Sequence, residues 1–115
     1  ALVCSGGIYA LGQIAFHHKD DNSFRLIPSD VDTKNLRTSH FAYDQTAARQ
    51  DINSVFPIEP LRRAQATNQN GALASTALRC MGGSYSQSRV MRQLAPAIAG
   101  RLLEDEVDVA VMVPV

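Results

Sequence analysis

Apolar and polar positions follow two rhythms along this chain, and the switch between them marks its elements. The last nine residues, Val107-Asp108-Val109-Ala110-Val111-Met112-Val113-Pro114-Val115, are nearly all apolar. Such a run predicts a parallel strand covered on both faces, because a strand buried that way shows no inside–outside alternation. Ala1 to Ser5 reads as a second strand, ended by the Gly6-Gly7 turn. Residues 8 to 22 read as a polar, irregular connection. Ser23-Phe24-Arg25-Leu26-Ile27 alternates with period two, as a half-buried strand does, and Pro28 ends it.

From Ser29 to Ser54 periodicity is weak and turn formers are frequent. Asp44 is placed to cap a short helix through Ala47, Ala48 and Arg49. Pro57 and Pro60 fit an opening helical turn, and Leu61 to Ala66 continue it. Asn70-Gly71 is expected to close that helix in the left-handed conformation. Ala72 to Met81 reads as a strand turned by Gly82-Gly83. Ser84 or Ser86 then caps a long helix whose Val90, Met91, Leu94, Ile98, Leu102 and Leu103 recur at spacings of three and four, on one face. Pro96 interrupts it. Asp105 and Asp108 bracket its junction with the last strand, giving the strand–helix–strand crossover of a parallel sheet. The expected fold is α/β: an open, mostly parallel sheet with flanking helices, Rossmann-like or flavodoxin-like.

The chain has 115 residues, which suits one domain over residues 1–115. It begins within an apolar run without an initiator Met and ends on an uncapped strand, so we expect a fragment, incomplete at both ends. A hydrophobic content of 45% is enough for a packed core. Eleven basic residues balance eleven acidic ones, so no net field draws the chain to nucleic acid or to anionic lipid. The first sixteen residues lack the basic start and compact apolar centre of a signal peptide, and no run approaches a bilayer span. Two cysteines are too few for a secreted disulfide framework, and the cytoplasm is the expected compartment.

Two expected strands end in paired glycines, at Cys4-Ser5-Gly6-Gly7 and Cys80-Met81-Gly82-Gly83-Ser84, and a third ends at Pro114-Val115. If the three are parallel neighbours, their ends line one crevice, where ligands of open α/β sheets bind. Glycines admit close backbone approach, and a helix starting after Ser84 would aim free N–H groups there, favouring a carboxylate or phosphate. The competing reading is that each pair only makes a tight turn. Neither pair has the spacing of a dinucleotide fingerprint or a P-loop. His17, His18, Asp20, Asp21, His40, Asp44 and Asp51 lack metal-ligand spacing, so a solvated loop is preferred and no metal site is assigned. His40 is a candidate acid or base, hydrogen-bonded to Asp44, or else a satisfied histidine that braces its loop. Cys4 and Cys80 are read as buried thiols, with a redox pair as the alternative. Asp30, Asp32, Arg25 and Arg37 are expected to tie the long loop to the body, with Arg25 alternatively meeting an anion.

Several segments taken together resemble a known family. Gly6-Gly7-Ile8-Tyr9, Asp21 to Pro28, Leu36-Arg37-Thr38-Ser39-His40-Phe41-Ala42-Tyr43-Asp44, Asp51 to Ile58, Met81-Gly82-Gly83 and Val107 to Val115 occur in the order of the glycine/sarcosine/betaine/D-proline reductase selenoprotein B family. The short, D-proline-reductase-like branch is the most similar. Where that family often carries threonine hydroxyls before the first Gly-Gly, this chain has Cys4 and Ser5, and Thr76 to Cys80 lacks the family's His and aromatic residues.

The resemblance implies a subunit that reductively cleaves the C–N bond of a small amino acid, with a dithiol as electron donor. It implies a selenocysteine or cysteine nucleophile immediately after Val115, so that a selenocysteine codon read as a stop would end the chain there. It also implies a pyruvoyl group on a partner subunit, hence a hetero-oligomer. Ser5, Gly6, Gly7, Gly82, Gly83 and Ser84 would then shape the substrate-carboxylate site, with His40 as acid or base. The alternatives are a non-catalytic carboxylate-binding α/β module, and a redox or metal-handling protein using Cys4, Cys80 and the histidines.

Overall fold

The computed structural model describes residues 1–115 and forms an α/β fold around a mixed, mostly parallel four-stranded sheet. Strand β1 (Leu2–Cys4) lies at its centre, with β5 (Thr76–Cys80) on one side and β6 (Val111–Val113) on the other, both parallel to it. Strand β3 (Phe24–Pro28) joins β5 antiparallel, completing the order β3-β5-β1-β6. All three residues of β1 are buried, as expected of a strand paired on both edges and covered on both faces. Pro28 is tolerated because β3 is an edge strand, where a missing N–H breaks no ladder.

Residues 8 to 22 read as an irregular connection, yet Ile8–Ala10 forms β2. It pairs antiparallel with β4 (Leu36–Thr38), making a separate two-stranded ribbon. These strands are only three residues long, too short for a period-two pattern to register. The ribbon brings residues 38–45 back over the carboxyl ends of the main sheet: the Ser39 N–H donates to Gly7 O at 2.9 Å.

One sheet face carries Leu2, Cys4, Ile27 and Ala77, packed in a cluster with Ile52, Val55, Phe56 and Ile58. Those partners come from the short helix α1 (Thr46–Gln50) to α2 (Ile58–Ala66) segment, through a 3₁₀ turn at Ile52–Ser54. Each fully buried side chain such as Phe56 or Ile58 contributes about 1.5–3 kcal/mol. Asp44 is not the cap of α1 expected of it: the N-cap is Gln45, without a side-chain cap, and Asp44, one residue earlier, accepts from Thr46 N at 2.9 Å and Thr46 Oγ1 at 2.7 Å. The end of α2 differs from expectation. The left-handed residue is Asn68, at φ 55°, rather than Gly71, because the helix stops at Ala66 and Asn tolerates that conformation.

The expected single helix after Gly83 is instead three pieces: α3 (Gln87–Arg89), a π-helical stretch (Val90–Leu94) and α4 (Ala95–Glu104). Pro96 supplies the reason. Its ring cannot sit against a carbonyl four residues back, and the preceding turn widens so that Ala95 N–H reaches Val90 O. Ser86, not Ser84, is the capping residue. Leu94 is the sole buried residue in this helical stretch, and Met91 and Leu103 are exposed.

Strand β6 also departs from expectation. It is an edge strand with Val111 and Met112 exposed, although its composition read as an interior strand. Composition alone cannot tell which strand of a parallel sheet has a second neighbour.

Candidate functional site

The carboxyl ends of β1, β5 and β6 meet on one edge, as the paired glycines suggested. Ser5 N–H donates to Val113 O at 3.1 Å, Gly82 N–H to Ser5 O at 2.8 Å and Gly7 N–H to Cys80 O at 3.1 Å. Gly6 and Met81 form an isolated bridge. Val115 lies between the two double-glycine bends, its N–H donating to Ser5 Oγ at 2.9 Å. Ser5, Gly6 and Gly82 are therefore brought together with the end of β6, whereas Ser84 Oγ turns back onto Met81 O at 3.4 Å.

What the glycines make room for is the chain itself. A Cβ on Gly82 would stand 2.9 Å from Val115 O and 3.0 Å from Ser5 Oγ, and one on Gly83 would stand 2.6 Å from the Phe41 ring. Gly7, at φ +64°, has the Ser39 carbonyl where a side chain would go. The helix N–H groups expected to face a ligand are also engaged. Asp20 Oδ1 accepts from Tyr85 N at 2.5 Å and Ser86 N at 3.1 Å, an arm from the 17–22 loop that the sequence did not signal.

His40 is buried in the loop that closes over these ends, its ring 4.7 Å from that of Tyr43 and 5.7 Å from that of Phe41. The loop is pinned by Tyr43, whose hydroxyl donates to Gly6 O at 3.2 Å, and by Thr38 Oγ1, which donates to the same oxygen at 3.0 Å. The expected hydrogen bond from His40 to Asp44 is absent, since Asp44 faces Thr46. Instead His40 Nδ1 accepts from Ala42 N at 3.1 Å, so a neutral ring carries its proton on Nε2. Nε2 is buried with no partner, and burial lowers the pKa of the ring below its usual value.

Cys4 and Cys80 are both buried and free. Cys4 pairs in register with Arg79, so Cys80, one residue on, points to the opposite sheet face and the two thiols are not poised as a pair. Burial raises both pKa values, that of Cys80 to about 11, which keeps them protonated and weakly nucleophilic. Arg25 is satisfied locally: its guanidinium lies 4.3 Å from the Phe16 ring centroid, and Nη1 donates to Ser23 Oγ at 2.6 Å. Asp32 and Arg37 hold their own loop through Lys34 N and the carbonyls of Lys34 and Leu36.

Sequence reasoning passed over Arg79. It is fully buried on β5, with Cζ 3.3 Å from the Phe56 ring centroid. Nη1 donates to Leu78 O at 2.5 Å and Leu2 O at 3.3 Å, while Nε and Nη2 have no partner. The signal was available: one charge inside the apolar run Ala77-Leu78-Arg79-Cys80-Met81.

No group of three or more His, Cys, Asp or Glu lies together in a metal-holding arrangement, and no helix is long and apolar enough to cross a membrane. Comparison with known proteins adds three findings. The family described as glycine/sarcosine/betaine reductase selenoprotein B matches over residues 17–115. The D-proline reductase subunit gamma of Acetoanaerobium sticklandii is 34% identical over 112 residues, covering 97% of this chain and 46% of that protein. This chain thus spans about half the length of the curated relative it matches. No solved structure matches.

Proposed function

This chain belongs to the glycine/sarcosine/betaine reductase selenoprotein B family, and from that membership we propose that it is part of a subunit of an amino-acid reductase complex. The reaction we assign is reductive cleavage of the C–N bond of a small amino acid of the glycine, sarcosine, betaine or D-proline type. Two electrons come from a dithiol, which leaves as a disulfide. The nucleophile is a selenocysteine or cysteine directly after Val115, and the amine is activated by a pyruvoyl group on a partner subunit, making the assembly a hetero-oligomer in the cytoplasm. A selenolate or lowered-pKa thiolate supplies an ionised nucleophile at neutral pH.

One observation carries this reading: Val115 sits between the two double-glycine bends, bound to Ser5 Oγ at 2.9 Å. A residue following it would enter the crevice at the carboxyl edge of the parallel strands, where open α/β sheets bind ligands. The groups that meet there are a serine hydroxyl, backbone amides and glycines, none of them charged against an anionic chalcogen. In this reading Ser5, Gly6, Gly7, Gly82, Gly83 and Ser84 shape the site by letting Val115, Ser39 and Phe41 close upon one another. His40 moves a proton, where it does so, through Nε2, because Nδ1 is engaged by Ala42. We further read the β5–β1–β6 unit as part of a Rossmann-like or flavodoxin-like sheet within a single domain.

The test is a protein carrying selenocysteine or cysteine directly after Val115, assembled with the pyruvoyl-bearing subunit and assayed for dithiol oxidation with each candidate amino acid. Dithiol consumption matched by deaminated or ring-opened product is expected. Saturable amino-acid binding without turnover would instead favour a non-catalytic carboxylate-binding module.

A further inference from the structure

All three histidines of this chain line one cavity. His17 and His18 lie more than twenty residues before His40, yet the turn after Phe16 and the loop after Thr38 bring them to a common hollow of about 380 Å³. Arg49 of α1 and Met81 at the end of β5 complete its chemistry. Ten residues line it, and none is acidic. A volume of this size lies within the usual range for small-molecule sites.

The lining of the hollow carries no anionic acceptor. His40 Nε2, which carries the ring proton, is buried and unpartnered, a state that costs the full desolvation of the group unless something occupies it. Arg49 makes no ion pair; its one side-chain hydrogen bond is to Gln45 Oε1 at 3.3 Å. The nearest acid along that loop, Asp44, is held by Thr46 and does not line the hollow, and Asp21 is held by Ser23 and the His17 N–H. The three histidines are not gathered into a metal-holding arrangement. A guanidinium and an unpartnered imidazole N–H among lining residues that include no acid suit an anion, and a planar carboxylate matches both.

We propose that this cavity receives the carboxylate of the small organic acid on which the protein acts, with Arg49 and His40 Nε2–H as its two donors. The proposal rests on the amino-acid reductase reading above, and it moves the carboxylate from the glycine bends to the histidine-lined hollow beside them. The bends are filled by the chain's own Val115, Ser39 and Phe41, whereas the hollow is open. Met81 borders both, so an acid anchored here extends towards the end of β6.

The test uses the 115-residue chain with isotope-labelled histidines, followed by NMR during addition of acetate, D-proline or pyrrolidine. Acetate and D-proline are expected to shift the His40 signals saturably, and pyrrolidine, which has no carboxylate, to leave them in place. Arg49 is exposed on α1, so Arg49→Gln should fold as the parent does and weaken D-proline binding at least tenfold. His40→Phe should weaken it similarly. Absence of any shift with both acids, an equal shift with pyrrolidine, or unchanged affinity in Arg49→Gln would overturn the proposal. Turnover in the assembled complex that survives Arg49→Gln overturns the cavity assignment and leaves the reductase standing. Saturable binding without turnover does the reverse.

Discussion

Replacing Arg79 with methionine should make this protein more stable, even though it removes two hydrogen bonds and a cation–π contact. Burial lowers the guanidinium pKa from the ordinary arginine value to about 9. A drop of that size means the surroundings disfavour the charged form by roughly 5 kcal/mol. Methionine keeps an unbranched apolar stem against Phe56, where sulfur–aromatic contact regains about 0.3–1.5 kcal/mol. Against this stand the Phe56 cation–π contact, about 2 kcal/mol when desolvated, and the donors lost by the Leu2 and Leu78 carbonyls, about 1 kcal/mol each. The balance is a gain of about 2 kcal/mol, within the range for apolar replacement of buried ionic groups.

Thermal unfolding and urea titration of Arg79→Met would read this as a Tm rise of about 8 °C. The pH dependence gives an independent check, and its sign follows from proton binding. Above the folded pKa near 9, and below the ordinary arginine value of the unfolded chain, the unfolded chain holds a proton on Arg79 that the folded chain has lost. The parent therefore gains stability as pH rises through this window. Its deficit relative to Arg79→Met is full below pH 9 and should shrink by pH 10.5. A variant destabilised by more than about 2 kcal/mol at neutral pH, with no such convergence, would refute the reasoning, because the guanidinium would then have to be compensated in the fold.

Gly7→Ala should cost more than about 2 kcal/mol in urea unfolding, since φ is +64° and the Ser39 carbonyl cannot move without breaking the ribbon. Gly100→Ala on open helix surface should instead stabilise by about 0.5–1 kcal/mol. His40 has its pKa lowered by burial, so the unfolded chain takes up its proton first as pH falls. Stability should decline below the ordinary value of 6.5 and level off beneath the folded pKa, while His40→Asn should lose that component of the urea-midpoint profile. Met112→Lys should change stability by less than about 0.5 kcal/mol, because Met112 is 71% exposed; a loss above 2 kcal/mol would mean β6 is an interior strand after all.

Local sequence was enough where the determinant was itself local. The apolar runs at both ends and before Gly82, the Pro28 terminator, the Asp44 turn and the two glycine pairs each prescribe a backbone conformation from a few adjacent residues. They placed β1, β3, β5, α1 and α2, and the convergence of three strand ends followed from parallel pairing. The family segments, being ordered motifs, were also legible. Strands β2 and β4 were not, since each lies among turn formers and is defined by pairing with the other, Tyr9 with Arg37, rather than by its own pattern.

Tertiary structure decided the rest, because the deciding quantity was which group fills which space. It made β6 an edge, which depends on neighbour count and not on apolarity. It filled the spaces beside the glycines with Val115, Ser39 and Phe41, something no glycine pattern can specify. It buried Arg79 against Phe56 and separated Cys4 from Cys80 by a one-residue offset in register. Finally, it gathered His17, His18, His40 and Arg49 around one hollow free of acidic side chains. Composition fixed how many charges the chain carries, but only folding set which of them face each other without a counterion.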